Sequence, residues 1–143
     1  REFAFGAKAA HGTAEAKSWA WDQALGNADL TNMQLEAVVN GMTGTPRSDL
    51  AEPYAEKYFN AIDGIWSERT FHMAEVLIGG LYPVYADPAL LVELGDAWLE
   101  AHRDADRALR RMVIDNVERS RRTLKVQEYN AGLGVGAESG QRD

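Results

Sequence analysis

Apolar positions recur every three or four residues along most of this 143-residue chain, which is the period of an amphipathic helix. Thr13 reads as an N-cap for a helix over residues 14–25. Trp21 and Leu25 lie four apart there, and Gly26 is its stop. Thr31 caps a second helix that runs through Val39 and ends near Gly41 and Gly44. Pro46 lies in the connection that follows. A third helix starts at Ser48 or Glu52, with Pro53 in or near its first turn, because a proline deeper inside costs about 3 kcal/mol. Leu50, Tyr54, Tyr58 and Ile62 recur every four residues on its face. A fourth helix is expected over 65–81, on a stripe of Ile65, Trp66, Thr70, Met73, Leu77 and Leu81, with Pro83 beyond its end.

The fifth helix has the clearest start. Asp87 is a good N-cap and Pro88 takes the first helical position, where its missing N–H costs nothing. Leu91, Leu94, Trp98 and Ala101 form its apolar face. The sixth is long and charged, from Asp104 or Asp106 to Tyr129, with Leu109, Met112, Val113, Val117 and Leu124 as its stripe. No strand-like alternation of useful length appears. The starts at Thr13, Ser48 and Asp87 are 35 and 39 residues apart, and each interval holds two helices. That spacing suits stacked helix-pair repeats, although self-similarity is weak and an irregular helical bundle is the alternative.

Composition then narrows the chemistry. There is no cysteine, so disulfides, thiolate metal sites and cysteine nucleophiles are excluded within this chain. The three histidines are His11, His72 and His102. The helical zinc order His-Glu-x-x-His does not occur. The nearest approach, His72 with Glu75, has Val76 where the second histidine of the inverted order belongs. His72 therefore reads as a helix-surface or interior residue, and His102 as a cation favoured at a helix C-terminus. None of Ser18, Ser48, Ser67, Ser120 and Ser139 lies in a nucleophile elbow. Gly132, Gly134 and Gly136 have the wrong spacing for a dinucleotide loop.

Charge adds one anomaly. Lys and Arg number 15 against 22 Asp and Glu, a net charge of −7 that argues against nucleic acid or an anionic membrane as partner. Between Arg103 and Lys125, eight basic and four acidic residues give a local +4, so the remainder carries −11. Such a stripe pairs internally, or with a neighbouring domain, more readily than with nucleic acid, since no aromatics interleave with it. Trp19 and Trp21 are two apart and cannot share a helix face, so one of them faces a different segment or solvent. No stretch is apolar for long enough to span a membrane. The opening REFAFGAKAA is not a secretory signal, and the absence of an initiating methionine suggests a fragment or processed chain.

The runs GTAEAKSWAWDQAL, LTNMQLEAVVNGM and LAEPYAEKYFNAIDGIWSERTFHMAEVLIGGLYP resemble the C-terminal region of bacterial aminopeptidase N, a family of gluzincin zinc aminopeptidases. The resemblance is densest in EPYAEKYF and IWSERT and covers about residues 12–130. It implies an all-α fold of stacked antiparallel helix pairs, a HEAT- or armadillo-like right-handed superhelical array, with about six helices here. The organisation expected is a lead-in over 1–12 from a preceding helix or linker, a helical-repeat domain over 13–130 and a flexible tail over 131–143.

The function implied is that of a non-catalytic C-terminal domain. It covers the active-site chamber of a cytoplasmic enzyme that removes N-terminal amino acids from peptides, and it gates their entry. The family's zinc and substrate-amine motifs lie upstream and are absent here, so no catalytic or metal residue is assigned to this chain. Zinc belongs to the parent's catalytic domain. The partners implied are that domain, the other parent domains and peptide substrates. Arg110, Arg111, Arg119, Arg121, Arg122, Trp66 and Arg69 are the candidate interdomain or chamber-facing residues. The rival reading is a freestanding helical-repeat adaptor that binds a protein or peptide.

Overall fold

The computed structural model describes residues 2–142, and side chains for residues 4–133. Eight helices make up the described chain: α1 (Glu2–Ala10), α2 (Ala14–Gly26), α3 (Asn32–Thr43), α4 (Ser48–Ala51), α5 (Tyr54–Glu68), α6 (Phe71–Gly80), α7 (Pro88–Ala101) and α8 (Arg107–Arg142). Among the described residues there is no strand. The all-α expectation holds, with about eight helices in place of six.

Three caps fall where the sequence puts them. Thr13 Oγ1 accepts from Ala16 N at 3.1 Å. Thr31 accepts from Gln34 N while the Gln34 side chain accepts from Thr31 N, a reciprocal capping box. Asp87 accepts from Ala89 N ahead of Pro88. The start of α8 is fixed similarly, by Asp106 accepting from Ala108 N at 2.8 Å.

The boundaries over 48–81 differ from those expected. Ser48 opens only the one-turn α4, because Pro53 has no N–H to continue the ladder, and α5 begins after it. The single stripe read over 65–81 is two elements. Thr70 adopts an extended conformation and caps a new helix, its Oγ1 accepting from Met73 N at 3.2 Å. Ile65 and Trp66 therefore belong to α5, while Met73 and Leu77 belong to α6. Gly64 sits inside α5. Helix α3 continues past Gly41 to Thr43, with Gly44 as its C-cap.

The residues ahead of Thr13 form α1, which packs on α3 and α2. Beyond it, α3 meets α6, α5 meets α6 and α7, and α8 lies on α7 and α6. The core runs through these contacts in one cluster, from Ala9 through Leu35, Val38, Tyr58, Ile62, Leu77 and Leu91 to Val113 and Val117. The backbone of α8 continues through the segment in which the glycine-rich tail is expected. The side chains of residues 134–142, and Asp143 altogether, lie outside the described residues.

The two tryptophans diverge as their spacing requires. Trp19 stacks on Phe5 of α1 with centroids 5.9 Å apart, and Trp21 meets Tyr54 of α5 at 5.2 Å. Both are half-buried.

Candidate functional site

The candidate arginines divide into two groups. The first group is engaged within the domain, and two of its members cap the C-termini of helices, where the last carbonyls lack helical partners and the dipole favours a cation. Arg110 donates from Nη1 to the carbonyls of Leu99 and His102, both at 2.9 Å, at the end of α7. Arg69 donates to Leu25 O at 2.7 Å, at the end of α2. Arg121 bridges α8 to α7 by binding Asp96 at 2.8 Å, and it also holds Glu118 at 3.1 Å. Of the candidates named from the sequence, these three are occupied within the domain.

The second group is exposed. Among the described residues Arg111 pairs with Asp115 alone, at 3.6 Å on its own helix face, a contact worth little in water. Arg119 lies over the Tyr82 ring at 5.8 Å, and Arg122 is exposed. Trp66 is half-buried, edge-on to the exposed Phe71 at 5.8 Å. The seven candidates are thus spread over several faces of the domain and do not converge on one cleft. Arg103, Arg107, Arg110 and Arg111 line an open hollow at the start of α8, together with Asp106 and Ile114.

His102 is the C-cap of α7, the position read for it from the sequence. Its ring stacks on Trp98 at 4.0 Å. Nδ1 lies 2.7 Å from Trp98 O, and Nε2 lies 2.8 Å from Asp63 Oδ2 on α5. Both partners are acceptors, so both ring nitrogens must donate, which is the imidazolium arrangement. Burial alone lowers the His102 pKa. The hydrogen bonds to Asp63 and the Trp98 carbonyl outweigh it, so the group sits above the ordinary histidine value. The cleft beside it is lined by Glu56, Phe59, Asn60, Asp63, Leu94 and Ala97.

Two buried polar centres lie outside the candidates named from the sequence. Lys17 is 2% exposed, yet its ammonium donates to Ala9 O at 2.9 Å, Gly41 O at 3.0 Å and Thr45 Oγ1 at 2.8 Å. All three of its donors are used, and burial lowers its pKa. The only signal is its place beside the buried stripe Ala16, Ala20 and Ala24. The second centre joins α5, α6 and α8. Tyr58 Oη donates to Ile78 O, near the C-terminus of α6. Asn116 Nδ2 spends its two hydrogens on Tyr58 Oη and Ile78 O, each at 3.1 Å. Tyr82 and Ser120 are hydrogen-bonded beside them. Burial pushes both phenols up, so they stay neutral donors. Here the sequence does carry a signal: Asn116 and Ser120 lie on the buried stripe of α8 with Leu109, Val113 and Val117.

These centres hold helices together and offer no reacting group to solvent. His72 and Glu75 are exposed on α6. Among the described residues no group of three or more His, Asp or Glu side chains is placed to hold a metal ion. No helix among them is long and apolar enough to cross a membrane.

A family profile described as the ERAP1-like C-terminal domain matches residues 1–122. An aminopeptidase N of Streptomyces lividans is 34% identical over 125 residues, which is 87% of this chain and 14% of that protein. The chain therefore spans a small share of the relative it matches. The profile takes in α1, ahead of the segment in which the resemblance starts, and stops within α8.

Proposed function

The chain belongs to the ERAP1-like C-terminal domain family, and from that premise we propose that it is the non-catalytic C-terminal domain of a zinc-dependent aminopeptidase. In this reading the parent removes N-terminal amino acids from peptides in the cytoplasm. This domain covers the active-site chamber and limits which peptides enter. Its helix pairs stack as a HEAT- or armadillo-like right-handed superhelix against the catalytic and other parent domains. The observation that carries the reading is the similarity to aminopeptidase N over 87% of the chain.

Zinc has no place in this chain's share of the work. His102 spends both ring nitrogens on Trp98 O and Asp63, and His72 has no second histidine one turn away. The metal belongs to the remainder of the parent. For docking, the exposed Arg111, Arg119 and Arg122 are the members of the candidate set that, among the described residues, hold no second helix by a hydrogen bond or ion pair, while Arg69, Arg110 and Arg121 serve the domain's own helices.

The test is turnover of an aminoacyl chromogenic substrate. The full-length parent turns it over and loses the activity to a chelator; the isolated 143-residue chain does neither. Chelator-sensitive turnover by the isolated chain overturns the reading, as does a full-length parent that shows no such activity.

A further inference from the structure

Helix α8 is apolar on two different sides in its two halves. In the first half Leu109, Val113 and Val117 are buried against the domain. From Lys125 to Leu133 every residue is exposed, and the core-facing stripe continues into Gln127, Glu128 and Ala131. The large apolar residues of this stretch are Val126, Tyr129 and Leu133, exposed at 57%, 67% and 55%. At about 100° per residue, Tyr129 lies about 160° round the helix from Val113, with Val126 and Leu133 within about 60° of Tyr129. An apolar stripe marks the side on which a helix is covered. This helix carries one stripe for its own domain and another, turned away, for something else.

The surroundings say what chemistry covers it. Val126 forms one wall of a shallow cleft with Val84, Arg119, Arg122, Thr123 and Gln127, and no carboxylate lines it. Among the described residues neither Arg119 nor Arg122 has a carboxylate within ion-pair distance. Val84, Thr123 and Gln127 continue into a second cleft beside the exposed Tyr85. Its one acid, Asp87, accepts from Ala89 N at the start of α7.

We propose that the reversed face of α8, built on Val126, Tyr129 and Leu133 and flanked by Arg119 and Arg122, seats an apolar segment of the parent chain that carries carboxylates. Two observations choose this occupant. The flanking charge on the face is positive, so its complement is acidic. The similar aminopeptidase N is mostly chain that these 143 residues do not cover, so a segment in cis is at hand. The three apolar residues also lie beyond residue 122, where the family match ends, so this contact is additional to the shared domain core. The proposal rests on the placement of this domain within a longer enzyme.

Photo-crosslinking in the full-length parent tests it. With p-benzoylphenylalanine replacing Tyr129, the expected product joins residue 129 to an upstream segment with Asp or Glu within a turn of the attachment point. The same probe at Trp19, which stacks on Phe5, must crosslink within this domain and shows that the chemistry works. Arg119→Glu with Arg122→Glu lowers the Tyr129 yield by about fivefold or more, and Arg103→Glu, at an exposed arginine paired with Glu100 of α7, leaves it unchanged. A crosslink to a second copy, to residues 1–123 of this chain, or none at all while Trp19 reports, overturns the proposal. Peptidase turnover is read on the same samples. An active parent without the crosslink loses only this docking face, and an inactive parent with it loses only the enzyme assignment.

Discussion

Gly95 of α7 lies against Val117 of α8 so closely that no Cβ fits between them. The contact sets how near the two helices approach, and Val117 is 1% exposed there. Gly95→Ala therefore forces Val117 to move within a packed core and destabilises the domain by about 1–3 kcal/mol, despite the better helix propensity of alanine. Val117→Ala alone leaves a cavity and also destabilises. The double variant restores room for the new methyl, so its loss is smaller than the sum of the two. Urea unfolding of the four proteins checks this; strict additivity would show that the two residues do not share a contact.

A second close approach depends on a charge. Gly41 of α3 crosses α1 so tightly that a Cβ there would stand 2.6 Å from Gly6 O and 2.8 Å from Ala9 Cβ. The Lys17 ammonium bonds Gly41 O and Ala9 O on the two sides of this crossing. Lys17→Met keeps much of the stem but strands two carbonyls and takes a donor from the Thr45 hydroxyl. It is expected to lower stability by about 2–3 kcal/mol. Hydrogen exchange locates the loss: amides of α1 and the C-terminal turn of α3 lose protection first. Uniform loss across α7 and α8 would contradict the local role.

How far the sequence reaches is visible in these same residues. Thr13, Thr31 and Asp87 announce helix starts because a cap is local chemistry between neighbours in sequence. The break at Thr70 is equally local, yet the apolar stripe from Ile65 to Leu81 runs across it and hides it. Lys17, Arg69 and Arg110 are not legible as caps, because the carbonyls they satisfy belong to other helices and come near only on folding. The basic stripe read from composition therefore mixes two roles that only tertiary contacts separate. The family resemblance placed the domain but could not sort its arginines.

The His102 arrangement makes stability depend on pH with a definite sign. The folded state holds the imidazolium between Trp98 O and Asp63, so its pKa exceeds the unfolded value of 6.5. The contribution is fully present below that value. It is lost as pH rises through the higher folded value, because the folded state then gives up the extra proton. The stability difference between the wild type and His102→Gln should thus shrink as pH rises from about 6 to about 8. An NMR titration of the His102 ring should give a midpoint above 6.5. Asp63→Asn should lower it; a His102 midpoint unmoved by Asp63→Asn would remove the ion pair as the cause.

Charge reversal separates arginines that hold the fold from those free to meet a partner. Arg110 is half-buried and joins two carbonyls at the end of α7, so Arg110→Glu leaves Leu99 O unpaired and His102 O with Ala105 N alone. It also brings an anion to the negative end of the helix. The expected loss is about 2–4 kcal/mol, seen as a lower urea midpoint for the isolated domain. Arg122→Glu touches nothing buried, and the midpoint of the isolated domain should stay where it is. In the full-length parent the order is expected to change. Arg122→Glu loosens the junction with the upstream chain, seen as faster proteolytic release of an intact helical domain. Equal release rates for wild type and Arg122→Glu would mean that this face carries no interdomain contact.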